Sequence, residues 1–375
     1  MKTGRFTVGV DFHSAVQSGK SGVGYYTKGM VEALAKGYPD IDIYVHYYNF
    51  LNRSKVVIPN LANIHPVKST LLHPKIVNAL RRISLEIPFE LLLKRRCDAY
   101  FFPNFANLPV SKNTSVITTI HDLAYLEIPE SVSARNRDDL VRYVPRYIKR
   151  SSKIATVSNN AKSRIKHFYS DSPEIFVTYS PPSHLRSGGP RGNRKDTEKN
   201  HVLFVGNLEP RKNLDRLLDA YEKLDSRLQK RYPLVIVGGN GWNNLDIKQK
   251  IQKLKKRGLK IITPGYVSGD ELVRIYEQAS VFVFPSLYEG YGIPPLEAMS
   301  FGVPVLASDI PVLKEVCGNA ALYCDAYSAD SIANNLAVIL TDQKLRKRLQ
   351  RSGRERVQQY TWEKAANILY ENITA

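Results

Sequence analysis

The chain has 375 residues, 43% of them hydrophobic and 24% charged, and carries a formal net charge of +19 at pH 7. This length exceeds the usual ceiling for one hydrophobic core and predicts two domains, and the composition excludes a disordered or fibrous protein. No apolar run approaches the roughly 18 residues that span a bilayer, and the start, MKTGRFTVGVDFHS, reads as a first strand rather than a signal peptide. The first apolar run, Phe6–Val10, is followed by SGKSG (18–22) and a helical stretch near Val23, which is the context of a phosphate-binding P-loop. The first glycine of that pattern would fall at position 14, where Ser14 stands, and no convincing Walker B aspartate accompanies it, so the nucleoside-triphosphatase reading fails. Gly22 and Gly24 then mark a glycine-rich loop leading into a helix. Strands follow at Ile41–Tyr47, Ala99–Phe102, Ser115–Ile120, Ile154–Val157 and Ile175–Tyr179, with helical patterns between most of them. That alternation predicts βαβ units and a parallel sheet.

Residues 181–200, PPSHLRSGGPRGNRKDTEKN, lack periodicity and read as a linker. The pattern then restarts with a strand at His201–Val205 and a helix whose Leu214, Leu217, Leu218, Tyr221 and Leu224 form one apolar stripe. Strands are expected at Leu234–Val237, Lys260–Thr263, Val281–Phe284 and Val303–Ala307, with Ser268 and Glu271 as a capping box. The expected organisation is an α/β pair of doubly wound parallel-sheet domains facing a central cleft: an N-terminal domain at 1–182, a linker at 183–200 and a second domain at 201–359. A last segment at 360–375 carries an amphipathic helical pattern. Ligands belong in the cleft at the carboxyl ends of the strands.

Charge is the unusual bulk property. Eight Lys/Arg and no Asp/Glu lie between Arg142 and Lys166, and Arg81, Arg82, Lys94, Arg95 and Arg96 bracket the amphipathic stretch ISLEIPFELLL. Solvated helix faces, an anionic lipid surface and a nucleic acid all fit such a balance. Nucleic acid ranks last, because no zinc spacing, RNP-type or helix-turn-helix signature accompanies the charge. The three cysteines, Cys97, Cys317 and Cys324, form no CxxC pair and suggest reduced thiols in a cytoplasmic setting.

The chemistry concentrates in PSLYEGYGIPPLEAMSFGVPVLAS. Glu289 ends a loop after a strand, the backbone amides of Gly290, Tyr291, Gly292 and Ile293 are open to a ligand, and Pro294 and Pro295 suit a first helical turn that would contain Glu297. A carboxylate there either complements its helix or accepts hydrogen bonds from vicinal hydroxyls. GNLEPRKN (206–213) sets Asn207, Arg211 and Lys212 between a strand and a helix N-terminus, a natural diphosphate site, and a second glycine cluster, GGNGW, starts at Gly238. In the first domain TTIHDLAYLEIPE places His121 and Asp122 just past a strand; a lone histidine in that place is commonly structural.

Together these residues resemble the retaining GT-B glycosyltransferases of group 1, over nearly the whole chain. Glu289 and Glu297 stand as its E-x7-E pair and GNLEPRKN as its phosphate loop, with Asn207 where many relatives carry arginine. The resemblance implies that Glu289 and the amides after it hold the donor sugar, Glu297 binds the ribose hydroxyls, and Arg211 with Lys212 neutralises the nucleotide diphosphate. It implies further that His121 lies beside the donor sugar, that PNFANLP (103–109) is an acceptor-side loop, that Gly22 and Gly24 meet donor and acceptor, and that the last helix crosses back to the first domain. Lys20 would be a further contact.

No Asp-x-Asp stands among these motifs to bind a metal, so no metal or other cofactor is expected. The motif versions lean toward transfer of mannose from GDP-mannose to a glycan on a polyprenyl diphosphate lipid in O-antigen or cell-surface polysaccharide synthesis. UDP- or dTDP-sugars are the alternative donors. The partners are then the nucleotide sugar, the lipid-linked acceptor and, peripherally, the inner face of an anionic membrane, with no nucleic acid. The competing enzyme readings are a GT-B phosphorylase or epimerase and a nicotinamide-dependent dehydrogenase, the latter lacking a G-x-G-x-x-G against the first strand.

Overall fold

A computed structural model gives the structure, which describes residues 4–17, 22–52, 56–70, 73–83, 85–182, 199–239, 241, 245–267 and 269–375. Most of the linker, Lys20, Trp242 and the capping Ser268 lie outside the described residues. The chain divides into two compact units, one comprising Met1–Leu123, Asn136–Ser180 and Thr361–Ala375, the other Ala124–Arg135 and Pro181–Tyr360.

The first unit is built on seven parallel strands: β1 (Thr7–Asp11), β2 (Asp42–Tyr48), β3 (Ile64–Ser69), β4 (Ala99–Phe102), β5 (Ser115–Ile120), β6 (Lys153–Thr156) and β7 (Glu174–Val177). Their order is β3-β2-β1-β4-β5-β6-β7. The second holds six, β8 (His201–Val205), β9 (Leu234–Val237), β10 (Ile261–Gly265), β11 (Ala279–Phe284), β12 (Val305–Ser308) and β13 (Ala321–Cys324), in the order β10-β9-β8-β11-β12-β13. Each sheet is doubly wound, so each has one place where the strand order reverses: β1/β4 in the first and β8/β11 in the second. Loops leaving those strand pairs diverge above and below the sheet, and the crevice between them is where such folds bind ligands.

Two strands are absent from the sequence reading, β3 and β13. Both are sheet edges. β3, IHPVKS, alternates half-buried and exposed residues after buried Ile64 and contains Pro66, which an edge tolerates because one side of its backbone needs no ladder partner. The buried inner strands read as continuous apolar runs instead, as strands covered on both faces do. In the second unit the expected stripe Leu214, Leu217, Leu218 and Tyr221 is fully buried on the Leu214–Glu222 helix and packs with Phe204 and Ile236 of the sheet.

The C-terminal helix Trp362–Thr374 belongs to the first unit. Thr361 caps it by accepting from the Lys364 amide at 3.2 Å, and it lies along the Gly22–Gly37 helix. Gly29 makes that seat: a Cβ there would fall 2.3 Å from Cζ2 of Trp362, so the indole occupies the space a side chain would fill. One turn from the other end, Tyr38 stacks on Tyr370 with ring centroids 3.5 Å apart.

Candidate active site

The loop after β8 and the loop after β11 leave the switch point of the second sheet side by side, and hydrogen bonds join them. Pro210–Lys212 forms one 3-10 turn that ends at Asn213, whose φ of 58° is the left-handed conformation an asparagine tolerates. The buried Asn213 amide donates to the carbonyls of Pro285 (2.9 Å) and Ala326 (2.7 Å), and the Leu287 amide donates to the Arg211 carbonyl (2.8 Å).

This registration brings three expected site residues together. Lys212 Nζ lies 2.6 Å from Glu289 Oε1, and Arg211 Nη1 lies 3.0 Å from Glu289 Oε2. Arg211 Nε reaches Glu209 Oε2 at 3.2 Å, and Asn207 donates to the other Glu209 oxygen at 3.3 Å. Lys212 also sits over the Phe284 ring, 4.8 Å from its centroid. Burial would raise the Glu289 pKa, but the adjacent Lys212 and Arg211 outweigh it and hold the carboxyl below the usual glutamate value. Such a carboxylate is a weak base. Its aptitude is to orient donors and to be exchanged for another anion.

The residues after Glu289 are less open than the sequence implies. Gly290, Tyr291 and Gly292 are buried, and Ile293 is half-buried. Gly292, at φ 117°, precedes the helix Ile293–Ser300, which therefore begins one residue before Pro294. Glu297 is the fifth residue of that helix and lies in its second turn, not its first as expected. The left-handed glycine starts the helix early enough to shift it. Glu297 is buried, and its Oε2 accepts from the Tyr276 hydroxyl at 3.1 Å. Burial, with the Glu297 charge, keeps that phenol protonated far above its ordinary range.

Gly238 has a structural requirement of its own. Its φ is 155°, and a Cβ would lie 1.9 Å from the Gly206 carbonyl oxygen. The glycine cluster thus lets the loop after β9 touch the GNLEP loop, and Gly239 accepts from the Leu208 amide at 3.2 Å. Beside this contact is a cleft of about 230 Å³ lined by Leu208, Gly238, Lys248, Gln252 and Thr263. Lys248 and Gln252 sit on the Leu245–Lys256 helix and carry no motif that would single them out in the sequence.

In the first unit, His121 follows β5, and its Nε2 lies 2.8 Å from the Pro103 carbonyl, the first residue of PNFANLP. A carbonyl only accepts, so the proton is on Nε2 and the lone pair on Nδ1. Burial lowers the His121 pKa and keeps the imidazole neutral, while Asp122 beside it acts in the opposite sense. Asn107 of the same loop is committed to the fold, donating to Thr118 Oγ1 (2.9 Å) and the Tyr147 carbonyl (2.8 Å). Gly22 and Gly24 lie within the first turn of the Gly22–Gly37 helix, not in a loop. Gly24 is needed for packing, because a Cβ would come 2.6 Å from the Ser14 carbonyl oxygen.

The sequence reading missed a polar cluster at the carboxyl edge of β1 and β2. Asp11 closes β1 and accepts from the His13 amide (3.1 Å), and burial pushes its carboxyl up to about 6. The His13 and His46 rings pack edge-on against Tyr48 at 5.1 and 4.7 Å, and burial drives fully buried His46 down to about 3. The position of Asp11 at the end of the first strand was the available signal. Among the described residues, no three His, Cys, Asp or Glu side chains converge as a metal site, and no helix is long and apolar enough to cross a membrane.

Comparison with known proteins agrees with this geometry. Residues 190–356 match the family described as Glycosyl transferases group 1. The chain is 31% identical, over 92% of its length and 93% of the relative's, to O-antigen chain mannosyltransferase B of Escherichia coli. It is 29% identical, over 81% of its length and 84% of the relative's, to O-antigen chain mannosyltransferase RfbU of Salmonella typhimurium. Among solved structures it resembles sucrose-phosphate synthase from Thermosynechococcus elongatus, with a TM-score of 0.73 at 18% identity over 99% of both chains. It also resembles WaaG, a glycosyltransferase involved in lipopolysaccharide biosynthesis, with a TM-score of 0.72 at 15% identity over 99% of this chain and 100% of that one. Two doubly wound parallel sheets, the joined loops at the second switch point and a relative matched along nearly its whole length lead to one assignment: the chain belongs to the group 1 glycosyl transferases and has their GT-B fold.

Proposed function

We propose that the chain is a retaining mannosyltransferase that moves mannose from GDP-mannose to a glycan carried on a polyprenyl diphosphate lipid during O-antigen assembly. The observation that carries this reading is the Glu289 carboxylate held between Arg211 and Lys212 where the second sheet reverses its strand order. The two cations are a ready counter-charge for a diphosphate leaving group and take the role a metal ion plays in other transferases. Their present partner, Glu289, is displaced toward the sugar hydroxyls as the phosphate arrives. Glu297 holds the ribose hydroxyls, and the cleft beside Gly238 receives the base. His121, neutral and with its lone pair on Nδ1, is assigned beside the donor sugar. Both Glu289 oxygens are engaged by cations and no other residue is a convincing covalent nucleophile, so attack comes from the face the nucleotide leaves, and the departing phosphate takes the acceptor proton. The two O-antigen mannosyltransferases among its relatives support the sugar and the pathway.

Calorimetry with GDP-mannose, UDP-glucose and dTDP-rhamnose tests the donor: GDP-mannose should bind tightest, and Glu297→Ala should weaken it about tenfold or more. Tighter binding of a UDP- or dTDP-sugar overturns the donor assignment. Turnover should survive excess EDTA and give a product with the donor's anomeric configuration. Loss of activity with EDTA that manganese restores refutes the metal-free mechanism.

For the lipid-linked acceptor, the first unit offers a matching surface. Ile83, Leu85 and Leu91 are 66%, 59% and 68% exposed, with the exposed cations Arg82, Lys94, Arg95 and Arg96 around them in sequence. Glu86, paired with Arg146 (3.0 Å) and with Arg150, pins this segment to the Ala134–Arg150 helix. Apolar side chains set among cations suit an anionic bilayer. Sedimentation with vesicles should require anionic lipid and should be lost with Leu85→Asp and Leu91→Asp together; binding indifferent to lipid charge counts against it.

A further inference from the structure

We propose that Tyr26 is a positioning residue for His121, fixing the orientation of the imidazole and tying it to three of the four segments at which the chain passes between the units. Tyr26 lies in the second turn of the Gly22–Gly37 helix and is 1% exposed. Its ring meets the His121 ring edge-on, with centroids 5.1 Å apart and planes at 88°. The same ring lies 6.4 Å from that of Trp362, and its hydroxyl is 2.7 Å from Thr178 Oγ1. The Thr178 hydroxyl donates to the Thr156 carbonyl at 3.4 Å, which leaves Tyr26 as the donor to Thr178.

Three of the residues around Tyr26, His121, Thr178 and Trp362, share a topological property. The chain passes between the units at Leu123/Ala124, Arg135/Asn136, Ser180/Pro181 and Tyr360/Thr361. His121 lies two residues before the end of the first-unit segment at Leu123, Thr178 two before Ser180, and Trp362 just after the return at Thr361. One buried side chain therefore lies beside the approach to three of the four. The hydrogen bond from His121 Nε2 to the Pro103 carbonyl fixes one axis of the imidazole but leaves rotation about that axis open. The perpendicular Tyr26 ring on one side, with Phe105 at 6.1 Å, closes that rotation. The titratable group beside His121 is Asp122, which precedes the same crossing. Trp362 in turn is held by the absence of a side chain at Gly29, so the edge-on geometry is set from three directions.

This inference rests on the assignment of His121 beside the donor sugar, and two measurements keep the two claims apart. In protein labelled with 15N-histidine, the His121 signal is the one of eight histidines lost in His121→Gln. It should show a single Nε2–H tautomer that titrates below free imidazole, and it should be unchanged in Tyr26→Phe, which keeps the ring. In Tyr26→Leu, or in Tyr26→Met should the smaller residue fail to fold, the tautomers should mix and the titration should move toward that of free imidazole. An unchanged His121 signal in those variants overturns the proposal, whatever the enzyme's substrate. In turnover of GDP-mannose with a mannose-terminated acceptor, Tyr26→Leu should cost about tenfold in kcat in the wild-type background and less than about twofold in His121→Ala. Equal losses in both backgrounds mean the ring only packs, and they overturn it too. A His121→Ala variant with full turnover instead removes the assignment of His121 itself.

Discussion

Glu289→Gln isolates the ion cluster at the second switch point. It replaces the buried carboxylate between Lys212 (2.6 Å) and Arg211 (3.0 Å) by a neutral amide of the same shape. Removing one partner of a buried ion pair typically costs about 3–5 kcal/mol, because the charge left behind stays desolvated. Two contacts reduce that figure here: Arg211 keeps Glu209 at 3.2 Å, and Lys212 keeps the Phe284 ring at 4.8 Å. The expected loss is about 2–3 kcal/mol, which in a domain of this size lowers Tm by roughly 5–10 °C. The sign of the pH dependence follows from the depressed Glu289 pKa. Its stabilisation is fully present above the unfolded value of 4.5 and is lost as pH falls through the lower folded value, so wild type and variant should converge in acid. The second readout is ligand rescue. GDP restores an anion to the two cations, so a saturating concentration should raise the Tm of the variant more than that of wild type. Calorimetric melts between pH 3.5 and 8, with and without GDP, measure all three effects. A loss below about 0.5 kcal/mol, or a difference that does not change with pH, refutes the view that the Glu289 charge is what balances Arg211 and Lys212.

Gly29→Ala should destabilise by about 1–2 kcal/mol despite the roughly 1 kcal/mol alanine gains in helices, because its Cβ would meet the Trp362 indole at 2.3 Å. Urea titration followed by tryptophan emission should show this loss, and Trp362→Leu in the same chain should recover it. Asp11→Asn should stabilise the protein by about 1–2 kcal/mol at pH 7.5. The folded pKa of about 6 exceeds the unfolded 3.8, so ionised Asp11 opposes folding above pH 6, and the gain should be absent at pH 3.5 in paired denaturant titrations. Gly238→Ala should weaken GDP binding tenfold or more by forcing the Gly206 loop away. Gly258→Ala, also at positive φ but with nothing within 4 Å of its Cβ, should leave calorimetric GDP affinity within twofold.

Parallel strands covered on both faces announce themselves, which is why Ala99–Phe102, Ser115–Ile120, His201–Val205 and Leu234–Val237 stand where their apolar runs end. The edge strands β3 and β13 need only one partner and one buried face, and their sequences carry correspondingly less signal. The glycines divide by what presses on them. Gly24 and Gly238 look like ligand or loop glycines in one dimension, yet they, and Gly29, are demanded by other groups in the fold: the Ser14 carbonyl, the Gly206 carbonyl and the Trp362 indole. Beyond the place of Asp11 at the end of β1, the cluster with His13, His46 and Tyr48 was illegible for the same reason, since β1 and β2 pair only in the folded sheet.

What the motifs could not convey is how Arg211 and Glu289 come to share a hydrogen bond across 78 positions of sequence. β8 and β11 are neighbours in the sheet, but pairing of strands fixes only their register, not the course of the loops beyond them. The loops are aligned by Asn213, whose left-handed backbone turns its amide onto the carbonyls of Pro285 and Ala326, and by the Leu287 amide on the Arg211 carbonyl. None of these contacts involves a charged group. The ion cluster is therefore placed by neutral backbone bonds that do not depend on its charge state, and Arg211, Lys212 and Glu289 can exchange partners when an anion arrives without the loops that carry them coming apart.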